Sequence, residues 1–238
     1  MEEKQALILF SGGLDSLLTS CKMIEDGWKV TLVHYDNGSS SGCEHVKETA
    51  ERLIKRYGEN KVKFWGVGLT VGYFKALRDE IYRLELQEIV RKYPYFNLPQ
   101  FTCLACRSAM YVYTILLCRK LNIKVVAEGA RKSQLFAIEQ TNMLEQYRNL
   151  LNAFGIELVT PLLELESDYD RTLELLIRGI NPAVIEPQCH FGVPMKKPLS
   201  PEEELEVSHI YQEEVKPKCL KLIKMSEKIP LDPSGKLY

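Results

Sequence analysis

The chain has 238 residues, of which 45% are hydrophobic and 26% charged, with a net charge of −1 at pH 7. This is ordinary for a soluble globular protein of one domain, or one domain with a small appendage. No run of 18 apolar residues predicts a membrane span, "MEEKQALILF" lacks the pattern of a signal peptide, and the near-zero charge gives no global pull toward nucleic acid. Seven cysteines, an odd number in a long chain, argue against a secreted disulfide scaffold, so the expectation is a cytoplasmic protein without membrane partners.

Apolar strands and helical stripes alternate along the chain. "QALILF" (5–10) reads as a buried strand, followed by a stripe of Leu14, Leu17, Leu18, Cys21 and Ile24. "KVTLVHY" (29–35) is a second strand, and a helix is predicted over 43–57. "VKFWGV" (62–67) is a third strand, and 73–92 is a charge-rich helix leading into a Pro- and aromatic-rich loop, "YPYFNLPQFTC". An apolar helix over 105–120, a strand at 123–129, a helix near 135–151 and a short strand at 156–161 follow. Such alternation predicts an α/β fold with a doubly wound parallel sheet, whose ligand sits beyond the carboxyl ends of the strands at a switch point.

Beyond residue 165 the pattern changes, and 166–238 reads as a helical and irregular extension packed on a domain of residues 1–165. Ser167 is a predicted cap for the helix in "ESDYDRTLELLIRGI". "NPAVIEPQCHFGVPMKKPLSP" holds five prolines and reads as mostly irregular, ahead of a last helical segment over 201–223. "GSSSG" (38–42) reads as a short mobile loop.

The first strand runs into "SGGLDS" (11–16). Gly12 and Gly13 free the backbone to turn its amides toward an anion, the helix from Leu14 offers free N–H groups and a positive dipole end, and Ser11 and Ser16 add hydroxyls. This predicts a phosphate nest. It is neither a Walker loop nor a dinucleotide fingerprint. Asp15 would repel phosphate unless it helped hold Mg²⁺.

With that loop after a strand, the sequence resembles the PP-loop ATP pyrophosphatases, over about residues 5–165. The resemblance implies a fold of the same doubly wound kind and cleavage of ATP between the α and β phosphates, with AMP passing to a carbonyl-type oxygen. That oxygen then leaves in favour of nitrogen or sulfur. ATP contacts are expected from Phe10, Ser11, Gly12, Gly13, Asp15 and Ser16 at the first turn. His34 and Asp36, with Asn37, are expected beside adenine and ribose. Gly129, Arg131 and Gln134, in "EGARKSQ", form the second nucleotide loop.

"FTCLACRSAM" carries Cys103 and Cys106 as C-x-x-C before the predicted helix, and "EPQCHFGVP" supplies Cys189, 83 residues beyond Cys106. That order is similar to the sulfur-inserting tRNA enzymes of the same family, in which three thiolates hold a 4Fe-4S cluster with one iron open. With this resemblance, Asp15, Cys103, Cys106 and Cys189 are the expected catalytic residues, and the three cysteines the expected metal ligands. Zinc held by the three cysteines and His190 stays open, as do a transient disulfide or persulfide on the C-x-x-C pair and a merely buried pair. Arg107 either steadies the cluster or meets a phosphate.

The expected activity is an adenylating sulfurtransferase acting on a nucleobase, in tRNA or in a small molecule, with a separate sulfur donor and with a homodimer allowed. The first strand begins near residue 5, so no amino-terminal RNA-binding module is expected, a departure from the tRNA enzymes. Lysines 216–224 read mainly as a solvated face. Two other functions stand beside it: an ATP-dependent ligase similar to the cyano-deazaguanine synthases, with zinc or no metal, and a nucleotide-binding regulator.

Overall fold

A computed structural model describes residues 4–83, 91, 98–184, 186–228 and 231. Five parallel strands form one sheet in the order β4-β2-β1-β5-β6: β1 (Gln5–Leu9), β2 (Lys29–Asp36), β4 (Val62–Leu69), β5 (Val125–Ala127) and β6 (Glu157–Val159). After β1 the chain builds outward through β2 and β4, then returns to the other side of β1 with β5. The winding therefore reverses between β1 and β5, which are paired in parallel with Leu7 opposite Val126. The crevice for a ligand lies beyond the carboxyl ends of these two strands.

Alternation along β1 divides the interior. Leu7 and Leu9 face one core with helices α3 (Val71–Arg83), α4 (Leu98–Leu121) and α5 (Thr141–Asn152). Ala6, Ile8 and Phe10 face the other, with α1 (Leu14–Glu25) and α2 (Val46–Tyr57). Strands buried on both faces read as near-continuous apolar runs, as Ala6–Leu9 of β1 does. Later helices join the same cores. Leu175 of α6 (Asp168–Ile177) enters the second core, and Tyr211, Val215, Cys219 and Ile223 enter the first.

Two of the predicted boundaries move. The helix expected over 105–120 starts at Leu98, so most of the segment 98–103, expected as loop, is helical. Phe101, Leu104, Ala105, Ser108, Val112 and Ile115 are all fully buried, and they extend one stripe back across the C-x-x-C pair. Pro99 falls in the first turn, where its missing N–H costs nothing. The helix expected over 73–92 runs from Val71 and is described to Arg83. The stretches 84–90 and 92–97, and with them most of the predicted aromatic loop, lie outside the described residues.

Helix α4 also qualifies the membrane argument made from the sequence. Pro99–Leu121 is long and apolar enough to cross a bilayer by length and composition, yet 83% of that window is buried inside the fold. It is the core helix of the first layer.

The carboxyl-terminal helical segment is interrupted. Helix α7 (Pro201–Ile210) passes through a π-turn at Tyr211–Val215 into α8 (Lys216–Ser226). Pro217 has no N–H for the preceding turn and would crowd the carbonyl four residues back, and a widened turn accommodates both. Within α8, Lys218 pairs with Glu80 of α3 at 2.7 Å while Cys219 and Ile223 are buried. This stretch is therefore a packed amphipathic helix.

Two caps predict where helices start. Ser167 accepts from the Asp170 amide at 3.0 Å, as expected from the sequence. Ser200 and Glu203 form a reciprocal capping box, Ser200 Oγ accepting from the Glu203 amide at 3.3 Å and Glu203 Oε2 from the Ser200 amide at 2.7 Å. Ser200→Ala is expected to destabilise the protein by about 1 kcal/mol, measured as a lowered urea midpoint at unchanged slope.

Candidate functional site

The turn after β1 is built from backbone and hydroxyls. Gly12 has φ +83°, a conformation that a side chain would strain, and a Cβ there would sit 3.2 Å from Val46 Cα. Gly13 is the N-cap of α1 and offers no side-chain cap. Ser16 Oγ accepts from the Gly12 amide at 3.1 Å and donates to the Gly13 carbonyl at 3.0 Å, while Ser11 Oγ accepts from the Gly13 amide at 3.2 Å. The two serines thus brace the nest from within. The next amide, Leu14 N–H, donates at 2.8 Å to Glu186 Oε1, a carboxylate from 172 residues further along the chain.

Asp15 joins the two loops at the switch point. Its Oδ1 lies 2.7 Å from Arg131 Nε, an ion pair off the line of a hydrogen bond, since both atoms otherwise lack one. Its Oδ2 accepts from Arg171 Nη1 at 3.0 Å and from Gln134 Nε2 at 2.6 Å. Burial raises the pKa of the carboxyl, against the pull of the two arginines. Asp168 holds both arginines from the far side, Oδ1 lying 2.6 Å from Arg131 Nη2 and 3.4 Å from Arg171 Nη2. Gly129 makes the approach possible. A Cβ there would lie 2.8 Å from the Asp15 carbonyl carbon and 2.9 Å from its oxygen. The closeness expected of this glycine is realised against the first loop's backbone.

A cavity of about 320 Å³ opens beside this junction. Of the expected nucleotide residues, Phe10, Ser11, Asp15, Ser16, Gly129 and Gln134 line it, as does His34. His34 is buried, its Nδ1 lies 3.2 Å from the Phe10 carbonyl, and burial lowers its pKa, which favours the neutral ring. Four expected contacts, Gly12, Gly13, Asp36 and Arg131, do not line the cavity. Asp36 accepts from the Gly38 amide at 2.7 Å and shapes its own turn. Arg131 is committed to Asp15 and Asp168. Asn37, expected beside the nucleoside, lines the cavity and donates through Nδ2 to Cys106 Sγ at 2.9 Å, with its Oδ1 held by the Ser39 amide and hydroxyl.

The same cavity is lined by Cys103, Cys106 and Cys189. The first two sit one turn apart on α4, inside the helix and not ahead of it. Cys189 arrives on a strap. Ser40–Ser41 (β3) and Gln188–Cys189 (β7) form an antiparallel ladder with Ser40 opposite Cys189, and the His190 amide donates to the Ser39 carbonyl at 3.0 Å. The expected mobile loop at 38–42 is therefore one side of a small sheet. Burial pushes the Cys103 thiol up to about 12 and the Cys106 thiol up to about 11, with Cys189 adding to both shifts and Asn37 pulling Cys106 down. At neutral pH these two are thiols, so metal binding there would release protons.

Among the described residues, no three His, Cys, Asp or Glu side chains could hold one metal ion. The zinc set of three cysteines and His190 is thus not assembled. A four-iron cluster sets a looser condition, because its thiolates surround a body and not a point. Three thiols on the wall of one cavity, with no fourth required, fit that donor set.

Arg107 lines the same cavity. It sits between Glu128, at 2.5 Å, and Glu139, at 3.1 Å. Burial works against its charge, but the two carboxylates raise its pKa, and burial lifts Glu139 to about 7 despite Arg107. The pair ties α4 to the loop after β5. Arg171, Glu186 and these two glutamates were not singled out from the sequence. Each acts across more than 20 residues of chain and carries no local spacing signal.

A parallel sheet of this winding, with Ser-Gly-Gly-Leu-Asp-Ser at the reversal, is the fold of the PP-loop ATP pyrophosphatases. The chain belongs to the family described as thiamine biosynthesis protein (ThiI), whose model matches residues 2–213. It is 23% identical over 162 residues to a probable tRNA sulfurtransferase of Methanothermobacter thermautotrophicus, covering 68% of this chain and 37% of that relative. It is 24% identical over 170 residues to a 7-cyano-7-deazaguanine synthase of Rickettsia bellii, covering 69% of this chain and 75% of that one. A solved structure of a 4-thiouridine synthetase in complex with RNA and ATP superposes with a TM-score of 0.61 at 14% identity, over 95% of this chain and 54% of that one. The chain thus spans little more than a third of the sulfurtransferase it matches and about half of the solved synthetase.

Two substitutions test the site's framework. Gly129→Ala should force the two loops apart, lowering stability by about 1–3 kcal/mol in thermal unfolding and weakening pyrophosphate binding in calorimetry. Arg107→Met should strand two buried carboxylates and cost about 3–5 kcal/mol. Glu139 already has a folded pKa near 7 against an ordinary 4.5, so its burial penalty grows as pH rises through that window. The variant's deficit in urea unfolding should therefore be larger at pH 8 than at pH 5.

Proposed function

We propose that this chain is an ATP-dependent sulfurtransferase that adenylates a carbonyl-type oxygen of a nucleobase in tRNA and replaces it with sulfur. The observation that carries the reading is that Ser11, Asp15 and Ser16 of the first loop line one cavity with all three of Cys103, Cys106 and Cys189. Adenylation and sulfur delivery must share an acceptor carbon, so their groups must share a chamber.

The nest amides and the start of α1 would take the pyrophosphate end of ATP. The substrate oxygen attacks the α-phosphorus, the bond to the β-phosphate oxygen breaks, and pyrophosphate departs carrying that electron pair. Charge grows on the leaving pyrophosphate, where backbone N–H groups at the start of α1 stabilise it. The acceptor carbon then carries AMP as a leaving group, and a sulfur nucleophile displaces it. Asp15 is the carboxylate that would help hold Mg²⁺. Doing so means giving up Arg131 and Arg171, which are then available to phosphate oxygens. His34, neutral and buried, suits a hydrogen bond to the nucleoside. Cys103, Cys106 and Cys189 would hold a 4Fe-4S cluster, which supplies an open iron site for labile sulfide. Asn37 orients the Cys106 sulfur.

A second reading, an ATP-dependent synthase adding nitrogen to a small molecule, draws support from the deazaguanine-synthase relative, of which the chain covers the larger share. It shares the adenylation step but gives three cysteines in the chamber no task. Anaerobic metal and sulfide analysis and mass spectrometry of tRNA nucleosides separate the two. Cys189→Ser should bind ATP as the parent does and lose thiolation by at least about 100-fold. Unchanged thiolation by this variant would remove the cysteines from the reaction.

A further inference from the structure

We propose that Glu186 is a latch that occupies the phosphate nest until an anionic ligand displaces it, and that its release frees the strap carrying Cys189. The proposal rests on the nucleotide reading above and adds how that site is regulated.

The Glu186 carboxylate stands where a phosphate oxygen is expected. Its Oε1 accepts from Leu14 N–H at 2.8 Å, at the amino terminus of α1. Its carboxyl carbon and Oε1 lie 3.2 Å from where a Cβ on Gly13 would be, so the carboxylate fills the open face of the glycine. A helix start with no side-chain cap of its own is satisfied here by an anion from a distant loop. Glu186 is otherwise exposed.

The segment around it is fixed at few points. Upstream, Arg52 Nη1 donates to the Ala183 carbonyl at 3.0 Å. Next comes Glu186 on the nest, with Pro187 and the Glu186 carbonyl lying over the open face of Gly42 at 3.6 and 3.8 Å. Downstream are the two-residue ladder of Gln188–Cys189 on Ser40–Ser41, the His190 amide on the Ser39 carbonyl at 3.0 Å, and the Val193 carbonyl accepting from Gln100 Nε2 at 2.5 Å. So short a ladder is marginal by itself. Pro187 stiffens the link, so release of the Glu186 carboxylate removes an anchor from the backbone that carries Cys189 three residues on. In the latched arrangement the three thiols line the cavity, and no three metal-ligating side chains among the described residues close on one ion.

A bound phosphate would claim the same Leu14 amide, and two anions cannot share it. Apparent affinity then equals intrinsic affinity reduced by the fraction of unlatched chain. Removing the carboxylate raises affinity, and binding of the anion loosens the strap.

The test combines inorganic pyrophosphate titration with hydrogen exchange of the peptide covering 186–193, in the parent, Glu186→Ala and Glu186→Gln. The latch predicts that Glu186→Ala binds pyrophosphate about ten-fold more tightly, with Glu186→Gln between it and the parent. It also predicts faster exchange of the strap in Glu186→Ala without ligand, matched by the parent only when saturated with pyrophosphate. Pyrophosphate binding with unchanged affinity and unchanged strap exchange across the three proteins overturns the latch alone. Failure of all three proteins to bind pyrophosphate overturns the nucleotide reading, and the latch with it.

Discussion

The whole site depends on the contact between Gly129 and the backbone of Asp15. One loop ends β1 and the other ends β5, and only a residue without a side chain lets their backbones meet at this distance. That meeting places the Asp15 carboxylate between Arg131 and Arg171 and sets the nest at the mouth of the cavity. A wider gap would separate the phosphate-binding turn from the arginines and from the wall that carries the thiols.

A second tie runs from the sheet to α4. Arg107 follows Cys106 directly and is buried against Glu128 and Glu139, so the helix that bears the C-x-x-C pair is referenced to the same β5 loop as Gly129. Such a buried ion pair adds little net stability, but breaking it is costly, which makes it a good register device. Cys189 is held differently, by a two-residue ladder, the adjacent His190 amide on the Ser39 carbonyl, and one carboxylate contact three residues upstream. Two thiols are thus fixed by the core and the third rides on a light attachment.

Much of this was legible in the sequence. The sheet follows from largely apolar strands alternating with striped helices, and the nest from two glycines ahead of Leu14. Ser167 was legible as a cap because capping is local. What could not be read were partners set by the fold. Glu186 reaches Leu14 across 172 residues and Arg171 reaches Asp15 across 156. The early start of α4 was hidden because Pro99 looks like a breaker, while in the first turn it is harmless. Asn37 lines the cavity at its place after β2, but its bond to Cys106 crosses 69 residues and has no local signal. The ladder between 40–41 and 188–189 joins two polar stretches with no apolar alternation to announce it.

The central claim is that residues 11–16 hold the phosphates of ATP in the chamber that also holds the thiols. A crystal structure with a non-hydrolysable ATP analogue tests it most directly. The account predicts β and γ phosphates on the amides of Gly12 to Leu14, Glu186 turned out of the nest, and the α-phosphorus open toward Cys103 and Cys106. Nucleotide bound elsewhere, with Glu186 still seated on Leu14, would contradict it.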